Sequence, residues 1–367
     1  MLIKIKRFFI LGLTLIISFG ANTALASKTY TLSLEKAQEM ALKDSSELEM
    51  CDVNRQKVEK QLKDAAMNQK DYKNMDIHIN QNFDLIYVKN GYYVKMFRRY
   101  SALSEKEKVK TESSIKYNTI NDYYTLKNAQ KLCGIYESAM KRAEDNLEIV
   151  KKKQSLGMCT ALEVTNAEIS LDEAKSGLSK AKNNVDLLTD SLKIRLNIED
   201  DVTFVLTDEI ALPPGFDRDY VTDTKNALKT RYDVSALEIG AELSKDYYQT
   251  ASSLNENSVA FFSAYADYIK ATNNYSVGVK NISLGIKSAY YNVKNAEAAS
   301  DIAKRKFEYK KSEYEVNKVR YEMGMITNNI LTALSDELTM TELEYENALL
   351  THKLAVEKYA YEITSGI

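Results

Sequence analysis

The sequence predicts an all-α chain: elongated tandem hairpins of long helices in a coiled-coil bundle, with a short strand-and-turn connector between two halves. Three observations carry that expectation. Breakers are scarce: there are 12 Gly and 2 Pro in 367 residues, and Pro213 and Pro214 are adjacent. Apolar residues recur every 3.5 positions over long stretches. The second half of the chain repeats the first. Composition agrees, since 28% charged and 44% apolar residues suit long helices with solvated outer faces.

The chain opens with Lys4, Lys6 and Arg7 ahead of an apolar run from Phe8 to Phe19, and small residues follow, ending Ala24-Leu25-Ala26. These are the marks of a secretory signal peptide, so residues 1–26 are expected to be an export leader cleaved after Ala26. The alternative is a retained anchor, although the run is short for a bilayer span.

Self-comparison gives the organisation. Tyr123-Tyr124-Thr125-Leu126-Lys127-Asn128-Ala129 aligns with Tyr290-Tyr291-Asn292-Val293-Lys294-Asn295-Ala296, with five of seven identical at an offset of 167. The same offset puts Gly157-Met158 on Gly324-Met325 and Thr160 on Thr327. Upstream, Ala41-Leu42-Lys43 aligns with Ala227-Leu228-Lys229, and Ala65 with Ala251, at an offset of 186. The expected division is a first repeat over 27–196, a connector over 197–220 and a second repeat over 221–367. Val202–Leu206 reads as a short strand and Leu212-Pro213-Pro214-Gly215 as a turn.

Each repeat ends in a long helix–turn–helix. Gly157 and Gly324 mark the turns, because glycine accepts the left-handed conformation that ends a helix. Thr160 and Thr327 stand where a cap of the next helix belongs. After the first turn, Val164, Ala167, Leu171, Ala174, Leu178, Ala181, Val185, Leu188 and Leu192 alternate steps of three and four. That seam predicts left-handed coiled-coil packing. The second copy is less clean: Leu331, Leu334, Leu338, Thr341, Tyr345, Ala348, His352, Ala355, Tyr359. His352 reads as a tolerated seam residue. From about Tyr93 to Leu156 nothing breaks the helix, a rod on the order of 95 Å. No single compact core wraps such a rod, so other copies of the chain are expected to complete the bundle.

Several functions are disfavoured. There is no glycine-rich phosphate loop, nucleophile elbow or paired-His motif. Trp is absent and His appears twice. Acids interleave with Lys at helical spacing, as in Glu148 with Lys152, which marks a solvated surface. No enzyme, cofactor or metal site is expected. Lys+Arg is 50 against Asp+Glu 52, so no basic excess invites nucleic acid. Cys51, Cys133 and Cys159 follow no metal-site spacing and read as small apolar residues.

Taken together, the leader, the tandem halves and the two glycine-marked turns resemble the TolC family of outer-membrane efflux channels. Tyr30-Thr31-Leu32-Ser33-Leu34-Glu35-Lys36-Ala37 is similar to that family's first-helix signature. Gly157-Met158-Cys159-Thr160-Ala161-Leu162-Glu163-Val164 and Arg320-Tyr321-Glu322-Met323-Gly324-Met325-Ile326-Thr327 resemble its hairpin tips. The resemblance implies a homotrimer forming a twelve-helix hollow cylinder. It implies tips that dock an adaptor protein of an inner-membrane pump, and a passive conduit in the cell envelope. An exported coiled-coil spacer without a lumen is the alternative.

The sequence departs from the family pattern twice. No pair of lipid-facing strands is evident. Residues 75–98 fit either a strand hairpin, through the alternation of Ile77, Ile79, Phe83, Leu85 and Tyr87, or helix, tight turn near Lys89–Tyr92, helix. The second half is expected to turn near Thr272–Tyr275. Membrane contact is thereby left open. Glu163 fits the family's acid at the entrance, but its counterpart is Ile330, so each chain offers one such acid. Glu163 equally fits a first-turn carboxylate favoured by the helix dipole. Met158, Cys159, Leu162, Met325, Ile326 and Ile330 put apolar side chains at the turns. They suit a docking surface or contacts between neighbouring hairpins.

Overall fold

The computed structural model describes residues 28–75, 83–199, 202–211 and 215–366. The leader, Ile77 and Ile79, and the Leu212-Pro213-Pro214 turn lie outside them. The elements run β1 (Lys28–Leu32), α1 (Leu34–Lys43), α2 (Ser46–Tyr72), α3 (Phe83–Lys89), α4 (Tyr92–Ser155) and α5 (Ala161–Arg195). They continue β2 (Val202–Leu206), α6 (Tyr220–Thr230), α7 (Tyr232–Leu254), α8 (Val259–Glu322) and α9 (Asn328–Thr364). The chain is the all-α rod expected. Helices α4 and α8 are 64 residues each, about 96 Å long.

The seam reading holds side chain by side chain. Val164, Ala167, Leu171, Leu178 and Leu192 of α5 are buried, and Ala174, Ala181, Val185 and Leu188 are half-buried against α4. Helix α9 differs because it packs on two neighbours, α8 and α4. It therefore buries Ser335, Thr339 and Glu346 in addition to His352 and Tyr359.

The strand at Val202–Leu206 is present. It pairs in parallel with β1, Lys28 opposite Val202 through Leu32 opposite Leu206. Strand β1 was not expected; its five residues are too few to separate from the opening of a helix by periodicity. The two strands sit on α4. Gln130 donates to the Phe204 carbonyl at 2.9 Å and Lys127 to that of Leu206 at 2.8 Å. Tyr123 is fully buried beneath them, and its hydroxyl reaches the Leu32 carbonyl at 2.9 Å and the Asp208 carboxylate at 3.0 Å. Burial pushes its phenol up to about 12.

At the end opposite the Gly157 and Gly324 turns, the structure resolves the open reading. Helix α3 ends at Lys89 and Gly91, at φ 74°, turns the chain into α4. The helical alternative is thus observed over the described residues. The expected turn near Thr272–Tyr275 is corrected: those residues lie inside unbroken α8. The chain turns instead at Asn255–Ser258, where the Asn255 side chain accepts from Asn257 N and Ser258 caps α8 by accepting from Phe261 N. Asn273 and Asn274 need no special backbone there, so the helix continues through them.

This relocation explains the two offsets. Helix α2 aligns with α7 at 186, and α4 with α8 at 167. The difference, 186 − 167 = 19, is the length of Lys73–Gly91, which carries α3. Aligned positions share their environment: Ala41 and Ala227, Ala65 and Ala251, Leu126 and Val293, and Ala129 and Ala296 are all buried.

Two buried polar sites generate tests. Arg231, between α6 and α7, bonds Asp233 at 2.6 Å and Glu362 at 3.3 Å, tying α7 to the end of α9. Removing it strands those acceptors. Arg231→Ala is expected to cost about 3 kcal/mol, read as a lower urea midpoint. His352 is buried between α8 and α9, with Nδ1 3.1 Å from Ser300 Oγ. Burial lowers its pKa, and Glu297 and Asp301 oppose that only in part. Its neutral form is therefore the stable one in the fold. Its contribution is present above about pH 6.5 and lost as pH falls below that value. The melting temperature is expected to drop between pH 7 and pH 5, and to drop less in His352→Gln.

Candidate functional site: the paired hairpin tips

Both tips are closed by the same backbone device. In the first, Gly157 sits at φ 72°; its N–H bonds the Gln154 carbonyl at 2.9 Å, and Met158 N–H bonds that of Lys153 at 2.9 Å. In the second, Gly324 sits at φ 76°; its N–H bonds the Tyr321 carbonyl at 2.9 Å, and Met325 N–H bonds that of Arg320 at 2.8 Å. These are paired 6→1 and 5→2 bonds that satisfy carbonyls left over by the ending helix. A Cβ at either glycine would meet nothing within 4 Å, so the positive φ, not space, demands glycine.

The next helices start differently. Thr160 and Glu163 form a reciprocal cap: Thr160 N donates to Glu163 Oε2 at 2.7 Å, and Glu163 N donates to Thr160 Oγ1 at 3.3 Å. The hydrogen bond from the Thr160 backbone holds the Glu163 carboxyl below its usual range. Glu163 is thus ionised and half-exposed at the mouth of the hairpin, with one oxygen engaged in the cap. Thr327 occupies the cap of α9 but accepts no such bond, and Ile330 stands where Glu163 does.

The apolar tip residues divide into two groups. Met158, Leu162, Met325 and Ile330 are exposed, the two methionines at 70% and 69%. Cys159 and Ile326, equivalent positions, are half-buried. Cys159 packs on Val150, Val164 and Ala167, and its thiol donates to the Val150 carbonyl at 3.2 Å. The chain must fold these two back to start the seam, so four of the six expected residues form the free surface. Cys51, Cys133 and Cys159 are all unpaired thiols, and Cys51 is buried.

The tips are neighbours at one end of the rod. Lys153 of the first lies 5.2 Å over the Tyr321 ring of the second, with Nζ 3.4 Å from its hydroxyl. Asn146 accepts from Asn328. A turn or two above the tips, the two hairpins leave a cleft of about 460 Å³ between Ile149, Ser170, Tyr314, Tyr321 and Asn328. Arg142 reaches across it from α4 to Ser335 and Thr339 of α9. Burial raises the pKa of Glu342, against the attraction of the same Arg142.

Sequence reasoning missed this polar seam. Its signal was present, since Ser335, Thr339, Glu342 and Glu346 recur at steps of four, three and four on a second stripe of α9. Among the described residues, no three His, Cys, Asp or Glu side chains are placed to hold a metal ion. The arrangement offers apolar contact and charge at a rod end.

No family model and no curated protein matches this chain. Solved structures do. The channel protein CusC superposes with a TM-score of 0.73 at 12% identity, covering 95% of this chain and 96% of its own. VceC, an outer-membrane protein of Vibrio cholerae, gives 0.72 at 14% identity, with 91% and 96% covered. The CmeC outer-membrane channel of Campylobacter jejuni gives 0.72 at 15%, with 90% and 85% covered. The chain has the TolC-like helical fold of these outer-membrane channels.

Proposed function

We propose that this chain is the duct of an exported, TolC-like efflux or secretion assembly in the cell envelope. Three copies close into a helical tube. Each copy comprises two repeats, 27–196 and 221–367, joined by the connector 197–220. The tips dock an adaptor protein that couples the tube to an inner-membrane pump. Passage is passive, and the chain catalyses nothing.

One observation carries this reading: the protomer is an open layer with two apolar edges. Helix α5 packs on α4, α4 on α9 and α9 on α8, which leaves α5 and α8 at the margins. The α8 margin exposes Val277, Leu284 and Tyr291 at steps of seven, then Ile302, Tyr309, Val316 and Met323 at steps of seven. The gap of eleven between Tyr291 and Ile302 is three turns, which keeps the stripe on one face. The α5 margin exposes Leu162, Ile169, Leu187 and Ile194, at steps of seven, eighteen (five turns) and seven. Each such side chain is worth about 1.5–3 kcal/mol when fully covered. Two different edges that fit each other head to tail generate a ring when the rotation closes.

At the mouth, Gly157, Met158, Thr160, Leu162, Gly324, Met325, Thr327 and Ile330 present the docking surface, with Cys159 and Ile326 supporting it from behind. Glu163 contributes one acid per chain at the entrance, three per tube. That is a thin ring, and weak cation selectivity is expected of it.

The spacer alternative predicts a filled bundle. Charging the α8 margin tests the joint on which the tube depends. Leu284→Lys with Ile302→Lys is expected to convert a trimer to a folded monomer, read by native mass spectrometry and circular dichroism. A trimer that survives both changes rules out this edge as the joint. For docking, cysteines placed at Met158 and Met325 are expected to cross-link to an adaptor in intact cells. No adduct at either position would refute docking by the tips.

A further inference from the structure

We infer that the inner wall of the tube carries a site for anionic solutes, built on Lys358 of α9 and on the side-chain amides level with it on α4 and α8. The inference rests on the duct reading and adds to it the class of solute that the duct takes.

The inner wall is identified by what covers the other side of the layer. Helix α1 and both strands pack on α4, and α6 packs on α8 and α9. Leu349 of α9 joins the cluster beneath the strands, and Tyr359 donates to Asp223 of α6 at 2.7 Å. Turned inward, these elements would fill a closed tube, so the bare side faces the lumen. Helix α9 has a single solvated face there. From Met340 to Tyr359 its exposed residues are Met340, Glu344, Asn347 and Thr351, at steps of four, three and four. Seven residues further on, Lys358 continues that stripe and is half-buried.

The neighbouring helices turn amides to the same side. On α4, Tyr123 points to the strands, so Asn121 and Thr125, two residues either side of it, point the other way. Asn118 lies one turn from Asn121, and all three are half-buried. On α8, Tyr290 packs on Phe216 of the connector at 5.7 Å, so Ser288 and Asn292 point the other way, with Asn295 one turn on. These three are exposed. Register brings the two sets to one level. Tyr117 stacks on Tyr361 at 5.0 Å and Lys353 lies 5.3 Å over Tyr124, which sets Asn118 and Asn121 beside Lys358. Tyr290 meets Tyr359 at 6.2 Å and Ser300 meets His352 at 3.1 Å, which sets Asn292 and Asn295 at that height.

The sign of the site follows from its ion pairs. Glu357 pairs with Lys353, Glu362 with Arg231, Asp122 with Arg195 and Glu297 with Lys294. Lys358 itself has no ion-pair partner among the described residues. Glu344 lies 14 residues along the stripe, about 21 Å away. There the stacking of Phe307 on Tyr345 sets the exposed Lys306 level with it. The stretch at Lys358 is left with one positive charge per chain, three per tube, among neutral amides. An ammonium and amide N–H groups are donors that match carboxylate or phosphate oxygens. A charge on the wall of a narrow lumen also concentrates ions of the opposite sign.

The test uses the exported protein in about 0.15 M salt, where loose surface contacts are screened, with the trimer verified by native mass spectrometry in the same sample. Pyrophosphate, citrate and the neutral sugar raffinose are titrated by calorimetry. The anions are expected to bind and the sugar not to. Lys358→Gln is expected to weaken anion binding about tenfold or more. Asn292→Asp with Asn295→Asp is expected to do the same while leaving Lys358 in place. Glu344→Gln is expected to leave binding within about twofold. Binding of pyrophosphate alone or of citrate alone supports the site and assigns it to phosphate or to carboxylate. A trimer that binds neither anion overturns the inference while the duct reading stands. So does binding that survives Lys358→Gln, or binding that the sugar matches. Absence of a trimer removes the duct reading and this inference with it.

Discussion

Everything in this molecule depends on how two antiparallel helices of unequal length hold together along a 3.5-residue seam. Along α5 the seam is mostly Val, Leu and Ala, and the small residues let α4 come close. A rod thus built has a high ratio of surface to core. The buried apolar residues form separate clusters, at the strands, beneath α6 and above the first tip, in place of one centre. Stability is distributed along the length, and each hairpin leaves apolar surface over. That leftover surface is what the proposed self-assembly would cover.

Between the hairpins polar contacts join the apolar ones that Leu349 makes beneath the strands. Helix α9 meets α4 through Arg142 on Ser335 and Thr339, Asn128 on Asn347, and Lys131 on a buried Glu346. Such contacts fix register, because a shifted pairing leaves buried polar atoms without partners. They contribute less to raw stability than the apolar seams do. One face of α9 therefore holds its own hairpin and the other holds the neighbouring hairpin in place. The paired tips inherit their geometry from both.

Much of this was legible in the residues. The turn glycines, the α5 seam and the length of α4 all follow from local rules that tertiary context did not override. The Asn90-Gly91 turn was equally plain. The missed turn at Asn255–Ser258 had a clear pointer: the 167-residue offset maps Lys89–Tyr92 onto Glu256–Val259, one residue further on. Asn273-Asn274 drew attention instead because asparagine is a turn residue by composition, although no positive φ was required. Strand β1 was too short to declare itself, and its pairing with β2 is set by Tyr123 and Asp208 across a long sequence separation. Of the tip residues, the outward four were recoverable from type and spacing. The inward turn of Cys159 and Ile326 was not, because it depends on where α4 ends relative to the first turn of α5.

The account stands or falls on whether copies of the chain enclose a space. Electron microscopy of the exported protein, viewed down the rod, tests this most directly. A ring of three protomers, twelve helices around a solvent-filled centre, is the predicted image. A discrete single-copy particle, or several copies around a packed and waterless axis, would contradict it.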